Sequence, residues 1–170
     1  TLTNFPYISE EWKKNCEEER LLGVSITGQW DCPIVGNKNV LKKLRDKAVS
    51  VNKVYAKKFG VSQSLAVTCV KPSGTVSQLV DASSGLHSRY SPYYIRRVRI
   101  SATDSLFKML KDQKMPYYPE VGQSYGDATS YIFEFPIKAP KSAVYSKDLT
   151  AIEQLERWKL VKENYTEHNP

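Results

Sequence analysis

The stretch Ser64-Leu-Ala-Val-Thr-Cys-Val-Lys-Pro-Ser-Gly-Thr-Val-Ser77 runs from an apolar segment straight into a loop rich in hydroxyl groups. Ser64 to Val70 has the length and residue types of a buried strand. Pro72 then removes a backbone donor and turns the chain out of it, and Gly74 opens backbone angles closed to other residues. Upstream, Val40, Leu41, Leu44, Ala48, Val51, Val54 and Tyr55 recur at helical spacing. Asn37 or Asn39 is placed to cap this helix and Gly60 to end it. Before it, Leu21 to Thr27 is a short apolar run closed by Gly28 and predicts another buried strand. Strand, long helix and strand in succession predict a right-handed parallel crossover, and hence an α/β sheet or barrel.

Outward from this unit the pattern continues. Ile8 to Arg20 predicts a polar helix carrying Trp12, and Asp104 is placed to cap a helix with Leu106, Phe107, Met109 and Leu110. Tyr131, Phe133 and Phe135 alternate with Ile132 and Glu134 as a strand. Leu149 to Val161 predicts a last helix with Ile152, Leu155 and Trp158 or Lys159 on one face. Ala139-Pro-Lys-Ser142 is the linker-like stretch, and no internal repeat is found.

The 170 residues, 41% of them apolar, have the size and composition of one globular domain. The chain begins at Thr1 without an initiator Met and stops at Pro170 without a terminating signal, so a piece of a longer protein is expected. Twenty-five Lys and Arg against 18 acids leave a net charge of +7. Lys42, Lys43, Arg45, Lys47, Lys53, Lys57 and Lys58 share one helix with its apolar stripe, as on a solvated helix face. Arg96, Arg97 and Arg99 follow the hydroxyl-rich loop and are better placed to meet an anion. Cys16, Cys32 and Cys69 form no CxxC pair and are odd in number, which implies neither a disulfide framework nor a zinc ribbon. A reducing cytosol is the expected setting. No apolar run approaches membrane-spanning length, and residues 1–19 lack the pattern of a signal peptide.

A parallel strand delivers its following loop to the carboxyl edge of the sheet, where α/β proteins bind ligands. Ser73, Thr75 and Ser77 offer hydroxyl donors there, and a helix beginning near Thr75 would add unpaired amides favourable to an anion. G-x-x-x-x-G-K-[ST] is absent and Lys71 precedes the glycine, so a P-loop mechanism is disfavoured. The same residues also make an ordinary Pro-Gly turn with a Ser/Thr cap, and the local pattern leaves both readings open.

Several motifs in order resemble one family. Leu22-Gly-Val-Ser-Ile-Thr-Gly28, Pro72-Ser-Gly-Thr-Val-Ser77, Asp81-Ala-Ser-Ser-Gly85, Arg89-Tyr-Ser-Pro-Tyr-Tyr-Ile-Arg-Arg-Val-Arg99, and Trp158 with Asn164-Tyr-Thr-Glu-His-Asn-Pro170 resemble ribonucleotide reductase large subunits, above all the adenosylcobalamin-dependent ribonucleoside-triphosphate reductases. The resemblance implies the later part of a ten-stranded α/β barrel, with residues 1–170 as a partial catalytic domain. It implies conversion of ribonucleoside triphosphates to deoxyribonucleotides by thiyl radical chemistry, with adenosylcobalamin as cofactor and a thioredoxin-like dithiol as reductant. It makes Ser73, Gly74, Thr75, Val76 and Ser77 the contacts to the substrate phosphates.

No catalytic residue and no metal ligand is assigned. Thr68-Cys-Val-Lys71 lacks the Asn and Glu that surround the family's radical cysteine, so all three cysteines read as structural. The finger loop and the reducing cysteines are expected outside residues 1–170, which makes this chain alone inactive. His87 and His168 have no nearby Cys, Asp or second His in sequence and read as hydrogen-bonded structural residues. Two other readings stand beside this one. A diiron-partnered or glycyl-radical relative would share the fold, and a basic nucleic-acid-binding module would use the +7 charge and eleven tyrosines. Tyr93, Tyr94, Tyr117 and Tyr118 lie beside prolines rather than in a basic-aromatic strand, which weighs against the last.

Overall fold

The computed structural model describes residues 3–168. In chain order the elements are α1 (Glu10–Glu19), β1 (Val24–Ser25), α2 (Lys38–Phe59), β2 (Thr68–Cys69), α3 (Val76–Leu79), β3 (Tyr93–Ser101), α4 (Ser105–Asp112), β4 (Tyr117–Pro119), β5 (Ser130–Lys138) and α5 (Ala151–Asn164), with short 3-10 turns at Pro33–Gly36 and Ser146–Asp148. They form two compact units, one from the chain up to Tyr90 and from Lys141 on, the other from Ser91–Pro140. The stretch Ala139 to Ser142, linker-like in composition, carries the second boundary between them.

In the first unit the crossover is present. Ser9 caps α1 by accepting from the Trp12 amide, and Asn37 caps α2 by accepting from the Asn39 amide. Gly60 ends α2 in the left-handed conformation, at φ 68°. β1 and β2 pair in parallel, Val24 opposite Thr68 and Ser25 opposite Cys69. Each strand holds only two residues, and Leu21 and Val24 are exposed rather than buried. The apolar runs around them continue as loops, because Pro72 and the glycines at 23 and 28 limit how far a ladder extends. Val35, Leu41, Val70, Leu86, Val161 and Tyr165 make the core, with Ile26 and Leu160 against it. Leu41 and Val161 are completely buried, each contributing about 1.5–3 kcal/mol of apolar transfer.

α5 starts at a capping box, in which Thr150 and Glu153 exchange side-chain and backbone hydrogen bonds. Its buried face differs from the expected one. Ile152 and Leu155 are 68% and 62% exposed and Trp158 is exposed too, while Val161 and Asn164 turn inward. The large apolar residues mark the wrong stripe because the inward face is completed by the polar Gln154 and Arg157. Gln154 donates to the Leu86 carbonyl, and the Arg157 guanidinium stacks on the Trp30 ring at 4.4 Å.

The second unit is antiparallel, which the reading of alternating parallel units did not foresee. β5 lies between β3 and β4, with Arg97 opposite Glu134 and Tyr117 opposite Phe133. The predicted alternation on β5 holds: Tyr131 and Phe133 are buried. Phe107 of α4 stacks on Tyr131 with centroids 4.5 Å apart, and Asp104 caps α4 through the Leu106 amide. The nine residues of β3 went unrecognised as a strand because its arginines obscure the period-2 pattern. Helices and strands together make a mixed α/β architecture.

Candidate functional site

β2 ends at Cys69, and the loop that follows is organised by hydrogen bonds within itself and to the turn Asp81–Gly85. The Ser73 amide donates to Ser84 Oγ at 2.7 Å. The Ser77 amide donates to Ser73 Oγ at 2.9 Å, and Ser77 Oγ donates to the Ser73 carbonyl at 2.8 Å. Ser77 is fully buried. Its hydroxyl is therefore a structural tie within the loop, which corrects its expected role as an outward donor. Ser73 is half-buried, and Gly74, Thr75 and Val76 are exposed.

α3 begins at Val76 and is a single turn, so its dipole is small and the backbone amides themselves dominate. Thr75 makes no side-chain cap. The amides of Thr75 and Val76 donate to no acceptor among the described residues, and Thr75 is exposed. Gly74 does not have a positive φ, contrary to the expectation of a special backbone angle, and a Cβ built there meets nothing within 4 Å.

Glycine is required farther along. At Gly85 φ is 54°, and a Cβ would lie 3.0 Å from the Lys71 carbonyl oxygen, so this turn passes close to the start of the loop. The Gly85 amide donates to Thr27 Oγ1 at 3.1 Å, and the Gly28 amide to the Ser83 carbonyl at 2.7 Å. These bonds join the loop after β1 to the turn Asp81–Gly85.

A charge cluster built on the buried Arg89 includes a carboxylate of that turn, with Asp31 nearly buried and Asp81 largely exposed. Arg89 donates from Nε to both Asp31 oxygens at 3.2 Å, from Nη1 to Asp81 Oδ1 at 3.0 Å, and from Nη2 to Asp31 Oδ2 at 3.1 Å and to the Asp81 carbonyl. Burial disfavours its charge, and the two carboxylates more than offset this, so its pKa is raised. Sequence reasoning missed this cluster: Asp31 and Arg89 stand 58 positions apart, and nothing in either segment signals the pairing.

The end of the chain ties down β2. The Glu167 carboxylate accepts from the Val67 amide at 2.8 Å, the Thr68 amide at 3.1 Å and Thr68 Oγ1 at 3.2 Å. Burial pushes its pKa up, but these three donors and Arg45 outweigh it and hold it below the usual value. The Tyr165 hydroxyl donates to the Val24 carbonyl at 2.8 Å, and burial, helped by Cys69, raises its pKa to about 12. This explains why Asn164 to His168 carries a motif. Asn169 and Pro170, which complete it, lie outside the described residues.

The three cysteines are free thiols, Cys32 exposed and the other two half-buried. His168 Nε2 lies 2.8 Å from the Leu22 carbonyl, and His87 Nδ1 lies 3.2 Å from the Ser84 carbonyl. Among the described residues no group of His, Cys, Asp and Glu could hold a metal ion, and no helix is long and apolar enough to cross a membrane. Arg97 and Arg99 sit on β3, paired with Glu134 at 2.8 Å and Glu120 at 2.7 Å. Their charge is thus already met by carboxylates within their own unit.

No protein-family model matches the chain. Among curated proteins, the adenosylcobalamin-dependent ribonucleoside-triphosphate reductase of Lactobacillus gasseri is 31% identical over 167 residues, covering 81% of this chain and 22% of that protein. The Lactobacillus acidophilus protein of the same name is 35% identical over 109 residues, 63% of this chain and 14% of that protein. A probable adenosylcobalamin-dependent ribonucleoside-triphosphate reductase of Dictyostelium discoideum is 32% identical over 124 residues, 69% of this chain and 16% of that protein. The chain thus matches about a fifth or less of the length of these relatives. A solved B-12 dependent (class II) ribonucleotide reductase superposes with a TM-score of 0.73 at 23% identity, over 94% of this chain and 26% of that one. By sequence, the chain is a homologue of a segment of the adenosylcobalamin-dependent ribonucleoside-triphosphate reductases, and it shares the fold of a class II ribonucleotide reductase over nearly its whole length.

Proposed function

We propose that this chain is part of the catalytic barrel of a ribonucleoside-triphosphate reductase, in which the loop after β2 holds the phosphates of the substrate. The observation that carries the reading is the pair of accessible, unengaged amides at Thr75 and Val76, beside Gly74 and at the end of a parallel strand. Such amides, with the Thr75 hydroxyl, suit the oxygens of a polyphosphate, and hydrogen bonds to a charged acceptor are strong. Ser73 contributes indirectly: its Oγ accepts the Ser77 amide and its hydroxyl proton remains available to a ligand. Ser77 shapes the loop from within.

The full-length protein would take adenosylcobalamin and a dithiol reductant of thioredoxin type in the cytoplasm, as the resemblance implies. No residue of this chain is assigned as a cobalt ligand, and the radical cysteine and the reducing cysteines are expected in the remainder of the protein, as the resemblance implies. The exposed apolar faces of α2 and α5, with Val54, Phe59, Ile152 and Leu155, support a larger fold around this chain.

The test is substrate binding by the natural full-length protein. Gly74→Val should remove most of the affinity for ribonucleoside triphosphates, because its branched side chain fills the space in front of the amides. Thr75→Ala should cost about 1.5–3 kcal/mol, or about ten- to a hundredfold. Neither should change binding of the bare nucleoside. Equal losses for triphosphate and nucleoside would show the loop to be an ordinary turn.

A further inference from the structure

Arg89 has a side chain only 4% exposed, yet it touches none of the accessible amides of the loop. Its two carboxylate partners come from different segments. Asp31 follows β1, and its Oδ2 also accepts the Ser83 amide at 2.7 Å. Asp81 follows α3 and adopts φ 47°, in the left-handed region that Asp and Asn enter more readily than other non-glycine residues. Arg89 grips Asp81 by both its carboxylate and its carbonyl, which opposes relaxation of that angle. From this cluster two hydrogen bonds lead into the loop: the Ser73 amide to Ser84 Oγ at 2.7 Å, and the Ala82 amide to the Ser77 carbonyl at 2.8 Å.

We propose that Arg89, with Asp31 and Asp81, is the positioning device of the phosphate loop: its planar fork locks the turn Asp81–Gly85 against the segment after β1, and that turn holds Ser73 and Ser77 so that the Thr75 and Val76 amides face the ligand together. The inference deepens the phosphate-binding reading and rests on it for its consequence in binding, while the locking itself is a property of the free protein. Arginine suits the role because one guanidinium meets two carboxylates and a carbonyl in a fixed plane, which an ammonium does not. With Arg89 buried and Asp31 nearly so, losing a partner leaves the guanidinium poorly compensated, which makes one arrangement of the three groups much better than any other. Preorganisation of the amides spares the ligand the cost of ordering the loop on binding.

Two measurements on the natural full-length protein test this. In the free protein, Asp31→Asn should speed amide hydrogen exchange at Ser73 and Ser77 about tenfold relative to wild type, with α2 amides unchanged. Asp81→Ala should do the same, whereas Asp81→Asn, which keeps an acceptor oxygen and tolerates the left-handed angle, should remain near wild type. Ribonucleoside triphosphate affinity should fall about tenfold in Asp31→Asn and Asp81→Ala and be retained in Asp81→Asn, with bare nucleoside affinity unchanged in all three. Unchanged exchange at Ser73 and Ser77 in folded Asp31→Asn and Asp81→Ala would overturn the proposal, as would exchange that rises equally throughout the unit. Gly74→Val serves as the separate control. If it leaves triphosphate affinity intact, the phosphate reading fails, and the exchange data still decide whether the cluster positions the loop.

Discussion

The hydroxyls of Ser73, Thr75 and Ser77 alternate in sequence but have three different situations in the fold. Ser77 is buried and donates inward, Ser73 accepts from the next turn, and Thr75 alone has an uncommitted, exposed side chain. Ser77→Ala is therefore expected to lower stability, by about 1 kcal/mol for a lost internal hydrogen bond, as read from the denaturation midpoint. Thr75→Ala should leave that midpoint unchanged. A residue-scale effect of pH follows from Glu167. Its folded-state pKa lies below the ordinary 4.5, so its contribution is fully present above that value and is lost as pH falls through the lower folded one. Glu167→Gln should flatten this acid limb of the stability profile. Tyr165 acts with the opposite sign, because its neutral form is favoured. Its contribution is complete below the ordinary value of 10.0 and disappears as pH rises through about 12, a loss that Tyr165→Phe should remove from the alkaline limb.

At the scale of elements, burial separates residues that hydropathy alone treats alike. Leu41 on α2 has no exposed surface, whereas Leu155 on α5 is 62% exposed. Leu41→Ala should cost about 2–5 kcal/mol, combining lost transfer energy with a cavity that the core does not refill. Leu155→Gln should shift the stability of this chain by less than about 0.5 kcal/mol in chemical denaturation. α5 remains a helix without burying its largest apolar side chains, because the Thr150–Glu153 box satisfies its first amides and Val161 and Tyr165 anchor its end in the core. In the second unit β5 is the organising strand, hydrogen-bonded on both sides, and its Tyr131 and Phe133 carry the aromatic cluster with Phe107 and Tyr117.

For the whole molecule, the proposed function predicts a division of labour along the sequence. The 170-residue chain, supplied with adenosylcobalamin, a dithiol and a ribonucleoside triphosphate, should release no deoxyribonucleotide. Turnover by this chain, measured by product chromatography, would place the radical chemistry within it and restore Cys69 as the candidate. The basic charge has a less specific role. The seven bases named on α2 lie on a largely exposed helix, and Arg97 and Arg99 are engaged by glutamates within their own unit.

Sequence by itself determined the elements whose signals are local. Asn37 and Gly60 bound α2, Asp104 begins α4, the alternation through Phe133 defines the inner face of β5, and Pro72 with Gly74 marks the turn out of β2. Caps, periodicity and breakers act within a few residues, so their evidence is complete in a short window. The family was legible as well, through motifs in order. Tertiary structure alone decided which loop groups stay available, because Ser77 is withdrawn by a bond to Ser73 that depends on how the turn closes. It also decided which face of α5 is buried, since Gln154 and Arg157 find partners at Leu86 and Trp30 that no helical pattern reveals. Arg89 makes the same point most strongly: its meaning lies in carboxylates 58 and 8 positions away, and only the folded chain brings the three charges within hydrogen-bonding distance.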